Sequence, residues 1–135
     1  MKDISIKDFQ IGNDQGLTLM GGMNVLESEQ TALLVAEKFK EVTDKLNINW
    51  IFKASFDKAN RSSIDSFRGP GMDEGLKILD KVSSAFDVPV ITDIHEPSQA
   101  KAVSEVCEII QINAFLCRKN DIVKKKKKTK SAIQF

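Results

Sequence analysis

The sequence contains few cysteines, one histidine and no long apolar run. Its two cysteines, Cys107 and Cys117, form neither a CxxC pair nor a metal-ligand spacing, so a reduced, cytoplasmic protein is expected. His95 is the single histidine, and a site built from several histidines therefore does not fit within one chain. No segment approaches the roughly 20 apolar residues that a membrane-spanning helix needs, and the charged start of the chain differs from a secretory signal.

The net charge of +1 conceals an uneven distribution of charge along the 135 residues. Residues 119–135 contain seven lysines and one acidic residue, whereas the preceding residues are acidic on balance. Nucleic-acid-binding domains usually spread basic side chains over a folded face, and blocks of like charge repel one another. We therefore expect the lysines at residues 124–128 to be solvated, and we expect no nucleic-acid or membrane partner.

Short apolar strands alternate with amphipathic helices along the chain. The predicted strands cover residues 4–6, 9–11, 17–20, 50–52, 88–92, 108–112 and 132–135. Three helices are predicted between them: one capped by Ser28 with an apolar stripe of Val35, Phe39, Val42 and Leu46, one marked by Leu76, Leu79, Val82 and Phe86, and one over residues 98–106 that begins near Pro97. Residues 119–128 are a candidate for a further, lysine-rich helix.

This order of elements predicts an α/β fold with a parallel sheet that is covered on both faces. The doubly wound sheet and the eightfold barrel are the two classes of such a sheet. No GxGxxG motif follows the first strand, which disfavours a dinucleotide-binding sheet. A closed barrel takes about 250 residues, so the 135 residues of this chain cannot close one alone.

Polar side chains recur where the predicted strands of the sheet end, the edge at which parallel α/β folds build their sites. They are Asn24 after the first of these strands, Lys53, Ser55 and Lys58 at or after the second, Asp93 and His95 after the third, and Gln111 and Arg118 around the end of the fourth. The cations Lys53, Lys58, Arg61 and Arg118 suit phosphate and carboxylate groups. A phosphorylated or carboxylated substrate is therefore predicted.

Several of these residues also have a structural interpretation. Lys58 and Arg61 fall in a polar loop and could be surface charges. Asp93 could cap the helix that follows it, and His95 could be a packing residue. Lys53 is harder to explain in this way, because it ends an apolar strand and buried lysines are usually paired or functional. Both cysteines are expected to be small core residues.

Longer segments of the sequence are specific enough to indicate a family. They are GGMNVLES at residues 21–28, FKASFDKANRSS at 52–63, FRGPG at 67–71, ITDIHE at 91–96, IQI at 110–112 and AFL at 114–116. Together they resemble the 3-deoxy-D-manno-octulosonate 8-phosphate synthase family over residues 5–135. The FKASFDKANRSS string is highly specific, since the heptulosonate 7-phosphate synthases of aromatic biosynthesis do not normally carry it.

The resemblance implies a fold as well as an activity. The fold is the first half of a TIM-type (β/α)8 barrel with an N-terminal β-hairpin, incomplete as a single chain. Residues 1–135 would form one partial barrel domain, with the hairpin in 1–14, the barrel units in 15–118 and a lysine-rich segment in 119–135. The activity is a carbon–carbon bond-forming transfer in a homo-oligomer, in which phosphoenolpyruvate condenses with D-arabinose 5-phosphate and phosphate is released. The product is a precursor of lipopolysaccharide.

The resemblance also implies roles for individual residues. By position, the residues that hold phosphoenolpyruvate are Lys53, Ser55, Lys58 and Gln111. Those of the loop that helps bind arabinose 5-phosphate are Asn60, Arg61 and Ser62, and those around the reacting centre are Asn24, Asp93 and His95. The family has a metal-dependent branch with cysteine at the position of Asn24 and a metal-independent branch with asparagine. An amide is a poorer ligand for a soft divalent metal than a thiolate, so no metal or cofactor is expected.

The family continues well beyond the position that matches Phe135. We therefore expect a truncated synthase, whose unpaired strand edges would make it poorly soluble or lead two copies to assemble. Three interpretations stay open at this point. The chain could be a catalytically inactive fragment, or an enzyme completed by a second copy or a separate carboxyl-terminal half. It could also be a non-enzymatic protein whose basic tail binds RNA or an anionic membrane.

Overall fold

The computed structural model describes residues 3–58, 67–112 and 131–134. Strands in these ranges are β1 (Ile4–Ile6), β2 (Phe9–Ile11), β3 (Thr18–Val25), β4 (Asn49–Ser55), β5 (Val90–Ile94), β6 (Ile109–Ile112) and β7 (Ala132–Gln134). Helices are α1 (Glu29–Leu46), α2 (Met72–Phe86) and α3 (Ala100–Val106), the last preceded by a 3-10 turn at Pro97–Gln99. The predicted lysine-rich helix, Cys117 and the lysines at residues 124–128 lie outside the described residues.

The strands form two sheets. β1 and β2 pair in an antiparallel hairpin, and the other five strands form a parallel sheet in the order β3-β4-β5-β6-β7. Each of these strands pairs with the strand that precedes or follows it in the chain, without the reversal of strand order that a doubly wound sheet has. This sequential order is that of a barrel. The predicted parallel sheet and the predicted N-terminal hairpin are both confirmed.

The pleat of each strand separates a helix-facing side from an interior side. On β4, Trp50, Phe52 and Ala54 join the main apolar core together with buried residues of α1 and α2. Ile51, between them, points the other way and packs in a second, smaller core. The interior side of the sheet is therefore lined by every second side chain of a strand, including those nearer the carboxyl end.

The hairpin covers the amino-terminal end of this interior. Ile6 of β1 is buried and packs with Ile51, Ile91 and Ile109, which lie on three neighbouring strands. An ion pair between Lys7 and Asp87 also joins the hairpin turn to the end of α2. The apolar contacts close one end of the sheet interior, so polar residues at the carboxyl ends of the strands face the other end.

Helix α1 begins as predicted. The Ser28 hydroxyl accepts a hydrogen bond from the backbone N–H of Thr31 at 3.1 Å, which satisfies one of the free donors of the first turn. Glu29 in that turn also suits the positive end of the helix dipole.

The predicted apolar stripe of α1 is partly wrong. Val42 and Leu46 are 52% and 61% exposed, whereas Ala32, Ala36 and Thr43 are buried. The reason is size, because small side chains let the helix approach the sheet closely enough for Phe39 to stack on Trp50, with ring centroids 5.6 Å apart. The stripe of α2 is confirmed at its centre, since the buried side chains there include Leu76, Leu79 and Val82.

Strand β3 is longer than predicted. The double glycine, Gly21-Gly22, was expected to end the strand, but β3 continues through it to Val25. The Trp50 indole N–H donates to the Gly21 carbonyl at 2.9 Å. A Cβ at Gly22 would collide with the backbone of Lys53. Gly22 thus leaves room for the backbone of β4, whereas Gly21 leaves room for the Phe39 ring of α1.

Cys107 is buried, as expected of a core residue, and desolvation together with the charge of Glu108 raises its pKa to about 12. The predicted third helix is confirmed, although its first turn is the 3-10 turn that starts at Pro97. Among the helices of the described ranges, none combines the length and the apolar character that crossing a bilayer requires.

Candidate active site

The strands extend further than predicted into the polar residues that follow their apolar segments. Lys53 and Ser55 lie within β4 and Asp93 lies within β5, past the predicted ends of these strands, while Gln111 lies within β6 as predicted. Parallel pairing continues through them, since Lys53 is in register with Ile91 and Asp93 with Gln111. Their side chains are therefore fixed by the pleat and not by loops.

Alternation along the strands brings these polar residues to one place. Ile51, Lys53 and Ser55 are two residues apart on β4 and share the interior side. The same side of the sheet is apolar at Ile51 and becomes polar toward the carboxyl end. There, seven side chains line a cavity of about 180 Å³: Asn24, Lys53, Ser55, Lys58, Asp93, His95 and Gln111. All seven are among the residues that the sequence predicts for the site.

Asn24 reaches this cavity through an irregularity in β3. Gly22 is in register with Lys53 and Val25 with Ser55, so three steps along β3 match two along β4. Such a bulge re-aims side chains and often lies beside a functional site. Beyond it, the Leu26 N–H donates to the Ser55 carbonyl at 2.9 Å, which keeps the two strand ends together.

The two lysines of the cavity differ in their contacts. The Lys58 ammonium donates to the buried hydroxyl of Ser55 at 2.7 Å, so its charge lies in the site and not on the outer surface. Lys53 is half-buried on β4, and no hydrogen bond or ion pair within the described ranges uses its side chain. In the described ranges neither lysine forms an ion pair, and together they outnumber the single cavity carboxylate, Asp93, so the cavity suits an anion.

Asp93 and His95 form a pair in the same cavity. The His95 Nε2 lies 3.3 Å from Asp93 Oδ2. Burial alone would raise the pKa of Asp93, but hydrogen bonding from His95 and Ser55 and the charge of Lys58 hold that pKa below its ordinary value. The hydrogen bond with Asp93 raises the pKa of His95, although burial opposes it. The pair therefore favours an ionised carboxylate beside a protonated imidazole.

Each member of this pair also has a free atom. Asp93 Oδ1 and His95 Nδ1 are buried, and neither has a hydrogen-bond partner within the described part of the chain. Buried polar atoms without partners are rare and call for an explanation. A substrate or a reacting water molecule bound in the cavity would provide these partners.

The structural interpretations of the two residues have different outcomes. Asp93 does not cap the following helix, because Glu96 and Gln99 make a capping box there. The Gln99 side chain also accepts from the His95 backbone N–H at 2.8 Å. His95 does pack, since the Phe56 ring meets it edge-on at 5.8 Å between centroids. Packing and pairing with Asp93 thus act together to orient the imidazole.

Four residues beside this site were missed in the sequence. Phe56 supports His95, and Asp57 and Arg68 form an ion pair across the loop after β4. A fourth, Gln134 of β7, is in register with Gln111 and has a buried Oε1 without a partner in the described ranges. In the sequence, only the opposite charges of Asp57 and Arg68 on either side of the loop indicated that any of these residues interact.

Four predicted substrate-binding residues lie outside the described residues: Asn60, Arg61, Ser62 and Arg118. In the described part of the chain, no group of three or more histidine, cysteine, aspartate or glutamate side chains is arranged to hold a metal ion. Asn24 contributes an amide to the cavity.

Comparison with known proteins identifies the family. The family model described as DAHP synthetase I family matches residues 2–135. The chain belongs to the DAHP synthetase I family. Its hairpin and sequential parallel sheet form a partial barrel of that family.

Within this family, the chain is similar to proteins that carry the name 2-dehydro-3-deoxyphosphooctonate aldolase. The protein from Pseudomonas paraeruginosa is 56% identical over 132 residues, which cover 98% of this chain and 47% of the relative. The protein from Azotobacter vinelandii gives the same values. That from Colwellia psychrerythraea is 54% identical over 133 residues, covering 98% of this chain and 48% of the relative. The chain spans about half the length of these relatives and matches their amino-terminal half.

Proposed function

We propose that this chain carries the phosphoenolpyruvate-binding part of a 3-deoxy-D-manno-octulosonate 8-phosphate synthase. The observation that carries the proposal is the cavity in which Lys53 and Lys58 lie together with the Asp93–His95 pair. Similarity to proteins named 2-dehydro-3-deoxyphosphooctonate aldolase supports it, because that name describes the same eight-carbon phosphorylated acid.

The cations serve the first requirement of this chemistry. Phosphoenolpyruvate and arabinose 5-phosphate are both anions, and cationic side chains offset their repulsion while orienting the reacting carbons. We assign Lys53 and Lys58 to the phosphate and carboxylate of phosphoenolpyruvate, with Ser55 and Gln111 as hydrogen-bonding groups. The cavity of about 180 Å³ suits a small three-carbon phosphate, since sites for drug-sized ligands begin at roughly 300 Å³.

The acid–base pair serves the second requirement. A bond forms between the methylene carbon of phosphoenolpyruvate and the aldehyde carbon, and the aldehyde oxygen takes up a proton. Positive charge then develops at the enol carbon, water adds there, and phosphate leaves with its bridging oxygen. We assign proton donation to His95, stabilisation of the positive charge and orientation of the water to Asp93, and a hydrogen bond to the reacting centre to Asn24.

The remaining parts of the proposal concern residues and properties beyond this cavity. Contacts to arabinose 5-phosphate are assigned to Asn60, Arg61 and Ser62, and a further contact to substrate anions to Arg118. We also propose a metal-independent reaction, a cytoplasmic location, a role in lipopolysaccharide precursor synthesis and one partial barrel domain over residues 1–135. A homo-oligomer is proposed as well, in keeping with β3 and β7, which lie at the two edges of the described parallel sheet.

Calorimetric titration of the purified chain with phosphoenolpyruvate tests the binding site. Lys53→Met should abolish binding, because it removes a cation from the cavity without changing the length of the side chain greatly. Lys45→Met is the matched control, since Lys45 lies in the last turn of α1 and pairs on the surface with Glu41. A folded chain that binds no phosphoenolpyruvate, or a Lys53→Met variant that binds it as well as the control, would refute the proposal.

Phosphate release tests turnover separately. Release that requires both phosphoenolpyruvate and arabinose 5-phosphate would establish a complete active site, assembled from the chains in the sample. Binding of phosphoenolpyruvate without release would show that this chain supplies the binding part and needs further protein for the reaction.

A further inference from the structure

The loop that follows β4 is closed at its base by a double hydrogen bond. Arg68 donates from Nε to Asp57 Oδ1 at 2.9 Å and from Nη2 to Asp57 Oδ2 at 2.7 Å. This two-point geometry distinguishes the pair from the single contacts of an ordinary surface ion pair, which contribute little. Asp57 is half-buried, with 26% of its side chain exposed, whereas 55% of the Arg68 side chain is exposed.

Two backbone hydrogen bonds join the same two segments. The Lys58 N–H donates to the Arg68 carbonyl at 2.7 Å, and the Gly71 N–H donates to the Phe56 carbonyl at 3.1 Å. Between them, Gly69 has a φ of 118°, and a Cβ at this position would collide with the Phe56 carbonyl. Glycine is therefore required where the returning segment passes closest to the end of β4.

Lys58 is held at both of its ends by these contacts. Its backbone N–H is bound to Arg68, and its ammonium is bound to Ser55. A free lysine side chain samples many rotamers, and ordering it has a cost in side-chain entropy. Because the Lys58 backbone is already fixed by its hydrogen bond to Arg68, fewer conformations of the side chain remain to be restricted when the ammonium is ordered.

We propose that the Asp57–Arg68 pair is a positioning pair that holds Lys58 against Ser55, so that the ammonium points into the cavity before any ligand binds. The position of Lys58 follows from the contacts themselves. The consequence for phosphoenolpyruvate binding rests on the function proposed above. Neither Asp57 nor Arg68 needs to touch a ligand in this arrangement.

The single histidine of the chain provides a direct measurement of this arrangement. Burial and three side chains act on the His95 imidazole: the hydrogen bond and charge of Asp93 raise its pKa, burial lowers it, the Asp57 charge raises it and the Lys58 charge lowers it. Displacement of the Lys58 ammonium should therefore raise the pKa of His95. An NMR pH titration resolves this without assignment problems, because one imidazole signal belongs to one residue.

Arg68→Lys is the informative variant. It keeps the positive charge near Asp57 and loses the two-point hydrogen bond. A change in the pKa of His95 would therefore reflect the lost hydrogen-bond geometry of the pair more than a change in its charge. The pKa of His95 should rise in Arg68→Lys, and this rise should disappear when Arg68→Lys is made in a Lys58→Met background. Lys45→Arg is the control for a lysine–arginine exchange in a surface pair, and it should leave the titration unchanged.

Two results would overturn the proposal. One is an unchanged His95 titration in Arg68→Lys. The other is an equal rise with and without Lys58, which would mean that Arg68 acts on His95 independently of Lys58. Far-ultraviolet circular dichroism establishes that each variant is folded before the titrations are compared.

Phosphoenolpyruvate affinity, measured by calorimetry, forms the second arm of the experiment. Arg68→Lys should weaken binding several-fold, with no further loss in the Lys58→Met background. If the unaltered chain binds no phosphoenolpyruvate, the proposed function fails, while the histidine titration still decides whether the pair positions Lys58.

Discussion

Replacing Gly75 by alanine should destabilise the protein, although the same change in most helices stabilises it. Gly75 lies in the first half of α2, where alanine is favoured over glycine by roughly 0.5–1 kcal/mol. Its added methyl group, however, would collide with Cβ of the fully buried Phe56 and come within 3.5 Å of Leu26. Carbon atoms prefer separations of about 3.5–4.0 Å, so Phe56 or the helix must move by about 1 Å.

The size of the effect follows from these two contributions. Overpacking of a dense core costs roughly 1–3 kcal/mol, so the net loss of unfolding free energy should be about 1 kcal/mol and at most about 2.5 kcal/mol. With an m-value of about 2 kcal/mol/M, the midpoint of urea unfolding should fall by roughly 0.5 M and at most by about 1.3 M. The His95 signal should shift as well, because the Phe56 ring contacts the imidazole.

Gly16→Ala is the matched control for the unfolding measurement. A Cβ at Gly16 would meet no atom within 4 Å, so this variant should be neutral or slightly stabilised. An increase in stability for Gly75→Ala, together with an unchanged His95 signal, would refute the argument that Phe56 links the packing of α2 to the site.

Three further results are expected. Ile6→Ala should lower the unfolding free energy by about 2–5 kcal/mol in urea unfolding, because Ile6 is 2% exposed and packs on the sheet interior; a loss below 1 kcal/mol would contradict this role of the hairpin. The raised pKa of His95 stabilises the fold below the ordinary histidine pKa of about 6.5, and this stability is lost as the pH rises through the folded-state pKa. Asp93→Asn should therefore weaken the loss of stability as the pH rises above about 6.5, and an unaltered pH profile would be inconsistent with the pair. Dialysis against EDTA should leave phosphoenolpyruvate affinity unchanged, as the amide at Asn24 implies, and a loss reversed by added Zn²⁺ would oppose a metal-independent site.

The candidate site could be predicted in composition but not in detail. Lys53 and Asp93 were expected at the ends of strands, because polar residues follow apolar runs there. The strands in fact include them, since backbone pairing does not depend on whether a side chain is apolar. Alternation explains why both point inward, and this period of two was masked by the apolar helix-facing residues, such as Phe52, between them.

Other features depended on contacts between segments far apart in the chain. The exposed Val42 and Leu46 look like core residues by spacing alone, whereas the buried side of α1 is set by how closely the helix approaches the sheet. The pairing of Asp57 with Arg68 likewise arises from the return of the chain after the loop. Charges at a separation of eleven residues have no periodic pattern that would predict their contact.

The strands of the parallel sheet carry both core and cavity side chains, which limits the mutations that the protein can accept. Core and cavity side chains alternate on the same backbone, so Phe52 and Ala54 stand one position away from Lys53 and Ser55. Insertion or deletion of a single residue within β4 would turn Lys53 toward the helices and Phe52 toward the cavity. Point substitutions can therefore alter the chemistry of the cavity one residue at a time. A change in strand length would instead move the cavity side chains into the core and the core side chains into the cavity in one step. Length variation among relatives should accordingly be confined to the segments that connect the strands and helices.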